Sequence, residues 1–166
     1  MQNPLVSERT ESLPYCGVLI KPDTNRQGLY QPIVQEFTSR GFNILGRFDL
    51  TLDEDDVSFL YPKEIALPVA RRKLISYLTS DISSLVLLEP RPSRSVEQEI
   101  KFLCQLKGNK ERKTGIRFKY DRIGITDEEI ATKTGRYYDY MMINNLHVFD
   151  TSQQLFEFMR LKDLQV

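Results

Sequence analysis

The chain predicts an α/β (α+β) layer protein, with helices packed on one small sheet. Two observations carry this. Short apolar runs of strand length alternate with longer stretches in which apolar residues recur every three or four positions. The runs are also rich in β-branched residues and end on proline, glycine or aspartate. At 166 residues, 40% hydrophobic and 28% charged, the chain suits one soluble domain, placed at 15–166, behind a polar, proline-bearing arm at 1–14 that orders only against a partner.

The first run, Cys16-Gly17-Val18-Leu19-Ile20, stops at Lys21-Pro22-Asp23, because proline cannot sit inside a central strand. A polar turn over Thr24–Gly28 leads to a helix with Leu29, Ile33, Val34 and Phe37 on one face, closed by Gly41. Lys21 at a strand end, facing a helix start opened by Gly28, suits an anion such as phosphate. A second strand runs from Phe42 to Leu52. The acidic cluster Asp53-Glu54-Asp55-Asp56 reads as a helix N-terminus, and that helix carries Val57, Leu60 and Tyr61 before Pro62 ends it.

Pro68–Ser80 is an amphipathic helix with Leu74, Ile75 and Leu78 inward, and Ile82–Glu89 is a third buried strand. Ser95-Val96-Glu97-Gln98 is a capping box opening a helix that ends at Gly108. A short basic loop, Asn109–Thr114, precedes Gly115-Ile116-Arg117-Phe118. A short helix starts near Thr126, Tyr137–Asn144 reads as a strand, and Ser152–Leu161 is the last helix. His147, the one histidine of the chain, is placed just after the last strand.

Composition excludes several function classes. Lysine plus arginine equals aspartate plus glutamate at 23 each, which argues against a nucleic-acid binder built on broad phosphate neutralisation. No apolar run approaches the ~20 residues of a membrane span, and the N-terminus has no signal-peptide pattern. Cys16 and Cys104 lack zinc spacing and read as thiols of a reducing compartment, so the expected address is cytoplasmic.

The wording from Ile20-Lys21-Pro22-Asp23 through Gly28-Leu29, Phe37, Arg40-Gly41-Phe42 and Ile44-Leu45-Gly46 resembles the N-terminal third of nucleoside diphosphate kinases. The resemblance is strong over about 15–89 and partial beyond. It implies a ferredoxin-like βαββαβ core with a four-stranded antiparallel sheet. It also implies transfer of the terminal phosphate of a nucleoside triphosphate to a nucleoside diphosphate through a phosphohistidine. Carried over by position, it implies a phosphate-side lysine at Lys21, a tyrosine beside the histidine at Tyr61, a phosphate-contacting arginine at Arg117 and the motif asparagine at Asn144. His147 falls on the phosphorylated histidine, and Asp150 on a residue reaching Mg²⁺ through water. The cofactor implied is Mg²⁺ arriving with the nucleotide, and the assembly implied is a homo-oligomer.

The chain departs from that pattern at several places. The arginine that opens the family's second helical segment falls on Pro68, leaving Arg71 or Arg72 as substitutes, and the base-stacking phenylalanine falls near Ala70. Val148 and Phe149 replace glycine and serine after the histidine, the glutamate that orients the histidine falls on Phe158 beside Glu157, and about 119–140 is inserted. The "YDY…N" wording of Tyr138 to Asn144 is also similar to the C-terminal strand of guanylate kinases, but the chain has no GxxxxGK[ST] phosphate loop.

A neutral imidazole can carry a phosphoryl group as a covalent intermediate. A catalytic His147 must then open on a cleft lined by Lys21 and Arg117. The other function class is a catalytically silent relative that binds a nucleotide or a protein partner.

Overall fold

The computed structural model describes residues 13–165. Four strands form one antiparallel sheet in the order β2-β3-β1-β4: β1 (Cys16–Ile20), β2 (Asn43–Leu50), β3 (Ser83–Glu89) and β4 (Leu146–Val148). This is the expected ferredoxin-like βαββαβ order, with helices between β2 and β3 in place of a hairpin.

Both faces of the sheet are covered, so β1 and β3 read as continuous apolar runs rather than alternating ones. On one face Val18, Ile20, Val86, Leu146 and Val148 pack against Ile33 and Phe37 of α2 (Tyr30–Thr38), Leu103 of α5 (Val96–Lys107) and Ile116 of α6 (Gly115–Lys119). On the other face Leu19, Leu85 and Leu87 meet Val57 of α3 (Glu54–Leu60), Leu74 and Leu78 of α4 (Pro68–Leu78), and Leu155 and Phe158 of α9 (Ser152–Leu161). Truncating any of these fully buried side chains to alanine costs about 2–5 kcal/mol.

Several boundaries follow local chemistry already visible in the sequence. Asp53 and Asp56 form a capping box at the start of α3, Ser95 and Gln98 form one on α5, and Thr126 and Glu129 form one on α7 (Asp127–Thr132). The expected arm at 1–14 lies outside the described residues as far as 12. Leu13 exchanges two hydrogen bonds with the Ser152 hydroxyl, at 2.7 and 2.8 Å, where α9 begins.

Three local expectations are corrected. Pro22–Arg26, expected to be mostly turn, is a short helix (α1), and Gly28, at φ 70°, joins it to α2. Lys21 is therefore the residue capping α1 and does not face a glycine-opened helix start. Tyr137–Met142, expected as a strand, is a helix (α8). Tyr137 and Tyr140, three positions apart, are its buried side chains, and tertiary contacts override the β preference of its tyrosines. The last strand is Leu146–Val148, so His147 lies in the middle of β4 and not after it.

Candidate functional site

β4 brings His147 to the site. It pairs only with β1, setting Leu19 opposite His147, and because neighbours in a strand point to opposite faces, His147 leaves the side taken by Leu146 and Val148. The ring packs edge-on against Tyr61, which follows α3, with centroids 5.2 Å apart, and against Phe149 at 5.3 Å. Phe149 in turn lies 5.3 Å from Phe158.

Lys21, at the end of β1, is fully buried. Its ammonium donates to Asn144 Oδ1 at 2.7 Å and lies 5.0 Å from the centre of the Tyr61 ring. The Lys21 backbone N–H donates to Asn145 O, tying β1 to the chain just ahead of β4. Arg117, on α6, donates through Nε (3.2 Å) and Nη2 (2.9 Å) to the carbonyl oxygen of Leu146, which precedes the histidine. The structure thus brings Lys21, Tyr61, Arg117, Asn144 and His147 to one end of the sheet.

Charges and burial decide what this group can do. Burial, with the nearby charges of Lys21, Lys107 and Arg117, holds His147 well below the ordinary 6.5 of imidazole, so the ring is neutral. Lys21 is lowered by burial first and by Arg117 next, and Arg117 is lowered by burial. Neither has a carboxylate within ion-pair distance among the described residues. Two buried polar atoms here, the Tyr61 hydroxyl and His147 Nε2, have no hydrogen-bond partner. A buried phenol donor without a partner thus lies beside two cations that are bonded only to neutral oxygens.

Other expectations fare differently. His147 is only 7% exposed and its Nε2 is enclosed, so the ring does not stand open in a cleft. The position aligned with the orienting glutamate, Phe158, is buried and apolar, and no hydrogen bond to the His147 ring is made among the described residues. Arg117 and Asn144 line a cavity of about 20 Å³ with Asp23, Thr24, Asp121 and Asn145, room for about one water molecule. Arg71 pairs with Glu54 on α3 and Arg72 is exposed, while Ala70 is buried, so no stacking surface forms at position 70.

Asp150 is exposed, and its charge acts on Lys107, Arg117 and Tyr61. No cluster of three or more metal-ligating side chains exists among the described residues. Cys16 and Cys104 are free thiols, and burial with Glu99 and Glu97 pushes the Cys16 thiol up to about 12, leaving it inert.

One residue of the site escaped the sequence reading. Lys107, in the last turn of α5, is partly buried beside Arg117 and acts electrostatically on both Lys21 and His147. In sequence a lysine in the last turn of a helix looks like an ordinary macrodipole partner. Only the packing of α5 against β4 and α6 sets it apart.

No protein-family model matches the chain, and no curated protein matches it. Solved structures do. The nucleoside diphosphate kinase of Encephalitozoon cuniculi aligns over 93% of each chain at a TM-score of 0.66 and 14% identity. That of Aquifex aeolicus aligns over 89% of this chain and 93% of its own, at 0.63 and 17%. A transition-state mimic of the Borrelia burgdorferi enzyme, with bound vanadate and ADP, aligns over 84% of this chain and 80% of its own, at 0.59 and 18%. The protein has the fold of nucleoside diphosphate kinases, carried by a sequence far diverged from theirs.

Proposed function

We propose that the protein is a phosphotransferase of the nucleoside diphosphate kinase type, moving the terminal phosphate of a nucleoside triphosphate to a nucleoside diphosphate through His147. The observation that carries this reading is the convergence of Lys21, Arg117 and the unpaired Tyr61 hydroxyl, none with an anionic partner, on one neutral histidine. Phosphoryl transfer asks a protein mainly for positioning and for positive charge around the moving group. In the Borrelia enzyme of the same fold, ADP and vanadate are bound.

In this reading Lys21 and Arg117 hold the phosphate oxygens, with the Tyr61 hydroxyl donating to one of them. A ring nitrogen of His147 forms the N–P bond as the bond to the bridging oxygen breaks, and the electron pair leaves with the nucleoside diphosphate. A second diphosphate then reverses the step. Mg²⁺ bound with the nucleotide would screen the phosphate charge, and Asp150 would be the protein carboxylate that reaches it through water. Asn144 keeps the Lys21 ammonium in place.

The enclosure of His147 favours a second reading, a silent relative that binds a nucleotide without turnover. Phosphate exchange between Mg-ATP and a different nucleoside diphosphate separates the two. Ping-pong kinetics abolished by His147→Ala support transfer. Saturable nucleotide binding without exchange, weakened about tenfold or more by Arg117→Ala, supports the silent relative.

A further inference from the structure

We propose that Asn145 is a positioning residue of the site, setting Arg117 against Lys21 through its backbone, its side-chain amide and one buried water. The inference rests on the reading of Lys21 and Arg117 as the pair that holds the ligand. It adds a residue from outside the positions that the family resemblance supplies.

Three consecutive residues at the start of β4 hold both cations. Asn144 Oδ1 accepts from the Lys21 ammonium at 2.7 Å, and Leu146 O accepts from the Arg117 guanidinium at 2.9 and 3.2 Å. Asn145, between them, bonds to the segments that carry those cations. Its carbonyl oxygen accepts from the Lys21 N–H at 3.0 Å and from the Thr24 hydroxyl at 3.1 Å, fixing the end of β1 and the first turn of α1. Its Nδ2 donates at 3.2 Å to the carbonyl oxygen of Ile116, the residue before Arg117. α6 is five residues long and has no side-chain cap, so the packing of Ile116 and this one bond set its place.

The other side-chain atom of Asn145 points to the water. The residue is 4% exposed, and its Oδ1 has no hydrogen-bond partner among the described residues. Turning the amide over gives no relief, because Oδ1 would then meet Ile116 O. Asn145 lines the cavity of about 20 Å³ together with Arg117, Asp23, Asp121 and Arg122. That volume suits one water, and the wall offers it both acceptors and donors. Two arginines in the wall disfavour a cation as occupant. A buried carbonyl oxygen left alone costs stability, and a water donating to it offsets that cost. In the proposed arrangement the same water accepts from Arg117 Nη1, the guanidinium nitrogen not used on Leu146 O.

A double-mutant cycle tests this, with Mg-ADP binding measured for Asn145→Ala, Arg117→Ala and the pair. Asn145→Ala should weaken binding about fivefold or more, and the double variant should bind no more weakly than Arg117→Ala alone. Asn145→Leu, which keeps the branched shape and fills the place of the water, should behave as Asn145→Ala does. Without ligand, the Arg117 Nε–H signal, identified by its loss in Arg117→Lys, should exchange about tenfold faster in Asn145→Ala while the central amides of β1 and β3 stay protected. In the parent, the Asn145 amide protons should show contact with a long-lived water. The inference is overturned if the losses in the cycle add, if both Asn145 variants bind as the parent does, if the Arg117 exchange is unchanged, or if the parent holds no long-lived water at Asn145. The last result decides against it even where neither variant folds. A parent that binds no Mg-ADP, with the Arg117 exchange faster in Asn145→Ala, upholds Asn145 and overturns the nucleotide reading alone.

Discussion

His147 is a histidine kept neutral by its surroundings, and this has a consequence for stability. Its folded pKa lies well below 6.5, the value of the exposed ring. Between those two values the unfolded chain binds the extra proton and the folded chain does not, so stability falls as pH drops below about 6.5. His147→Phe, which keeps an aromatic ring between Tyr61 and Phe149, should remove that part of the slope. Denaturant unfolding from pH 7 to 5 checks it, and identical slopes in the two proteins contradict it. Glu36 works over a lower range. Burial opposes its charge, but hydrogen bonds from Lys119, Tyr120 and Arg40 outweigh burial and hold the carboxyl at about 2, against an ordinary 4.5. Its contribution is present above about 4.5 and is lost as pH falls toward 2. The residues that were legible in sequence, Lys21, Tyr61, Arg117 and Asn144, stand in recognisable words. Lys107 stands in none, because only the packing of α5 against β4 and α6 brings it near them.

The α5–α6 turn and α8 are the elements on which the site depends most. Lys110 donates to Tyr140 O and Ile143 O at the end of α8 and pairs with Asp121 at 2.8 Å, while the Tyr140 hydroxyl donates back to Lys110 O. It therefore satisfies the last carbonyls of α8, the task a C-cap performs in other helices. Lys110→Met should destabilise the protein by about 3 kcal/mol, because it strands Asp121 and two carbonyls. Amide exchange should rise selectively over 137–145, and a rise confined to other segments would contradict this account. Gly108→Ala should cost about 2–3 kcal/mol by denaturant unfolding, from its positive φ and the clash with Thr114 O. The strand expected at Tyr137–Asn144 is a helix whose last carbonyls are satisfied by a lysine some thirty residues away, a partner invisible to a local reading. The boundaries of α3, α5 and α7 were legible because their capping boxes are local.

At the scale of the molecule, the sheet leaves β2 as a long open edge with Ile44 and Leu45 exposed and a bulge between Ile44 and Gly46. Such edges are covered by pairing or by a partner, so we expect self-association, with light scattering at micromolar protein giving a mass above the 19.4 kDa of one chain. A mass of 19.4 kDa contradicts this. The architecture was legible because β1 and β3 are buried, largely apolar runs, each followed within two residues by proline. β4 was not, being three residues long with the histidine at its centre. That histidine is also where the functional account is tested most directly. Protein mixed with Mg-ATP should gain one phosphoryl group per chain, labile in acid and stable in base, as a phosphoramidate is. A nucleoside diphosphate should discharge the label as the triphosphate, and His147→Ala should take up no label while staying folded. A label that survives His147→Ala, or no label on a chain saturated with nucleotide, would contradict transfer through His147.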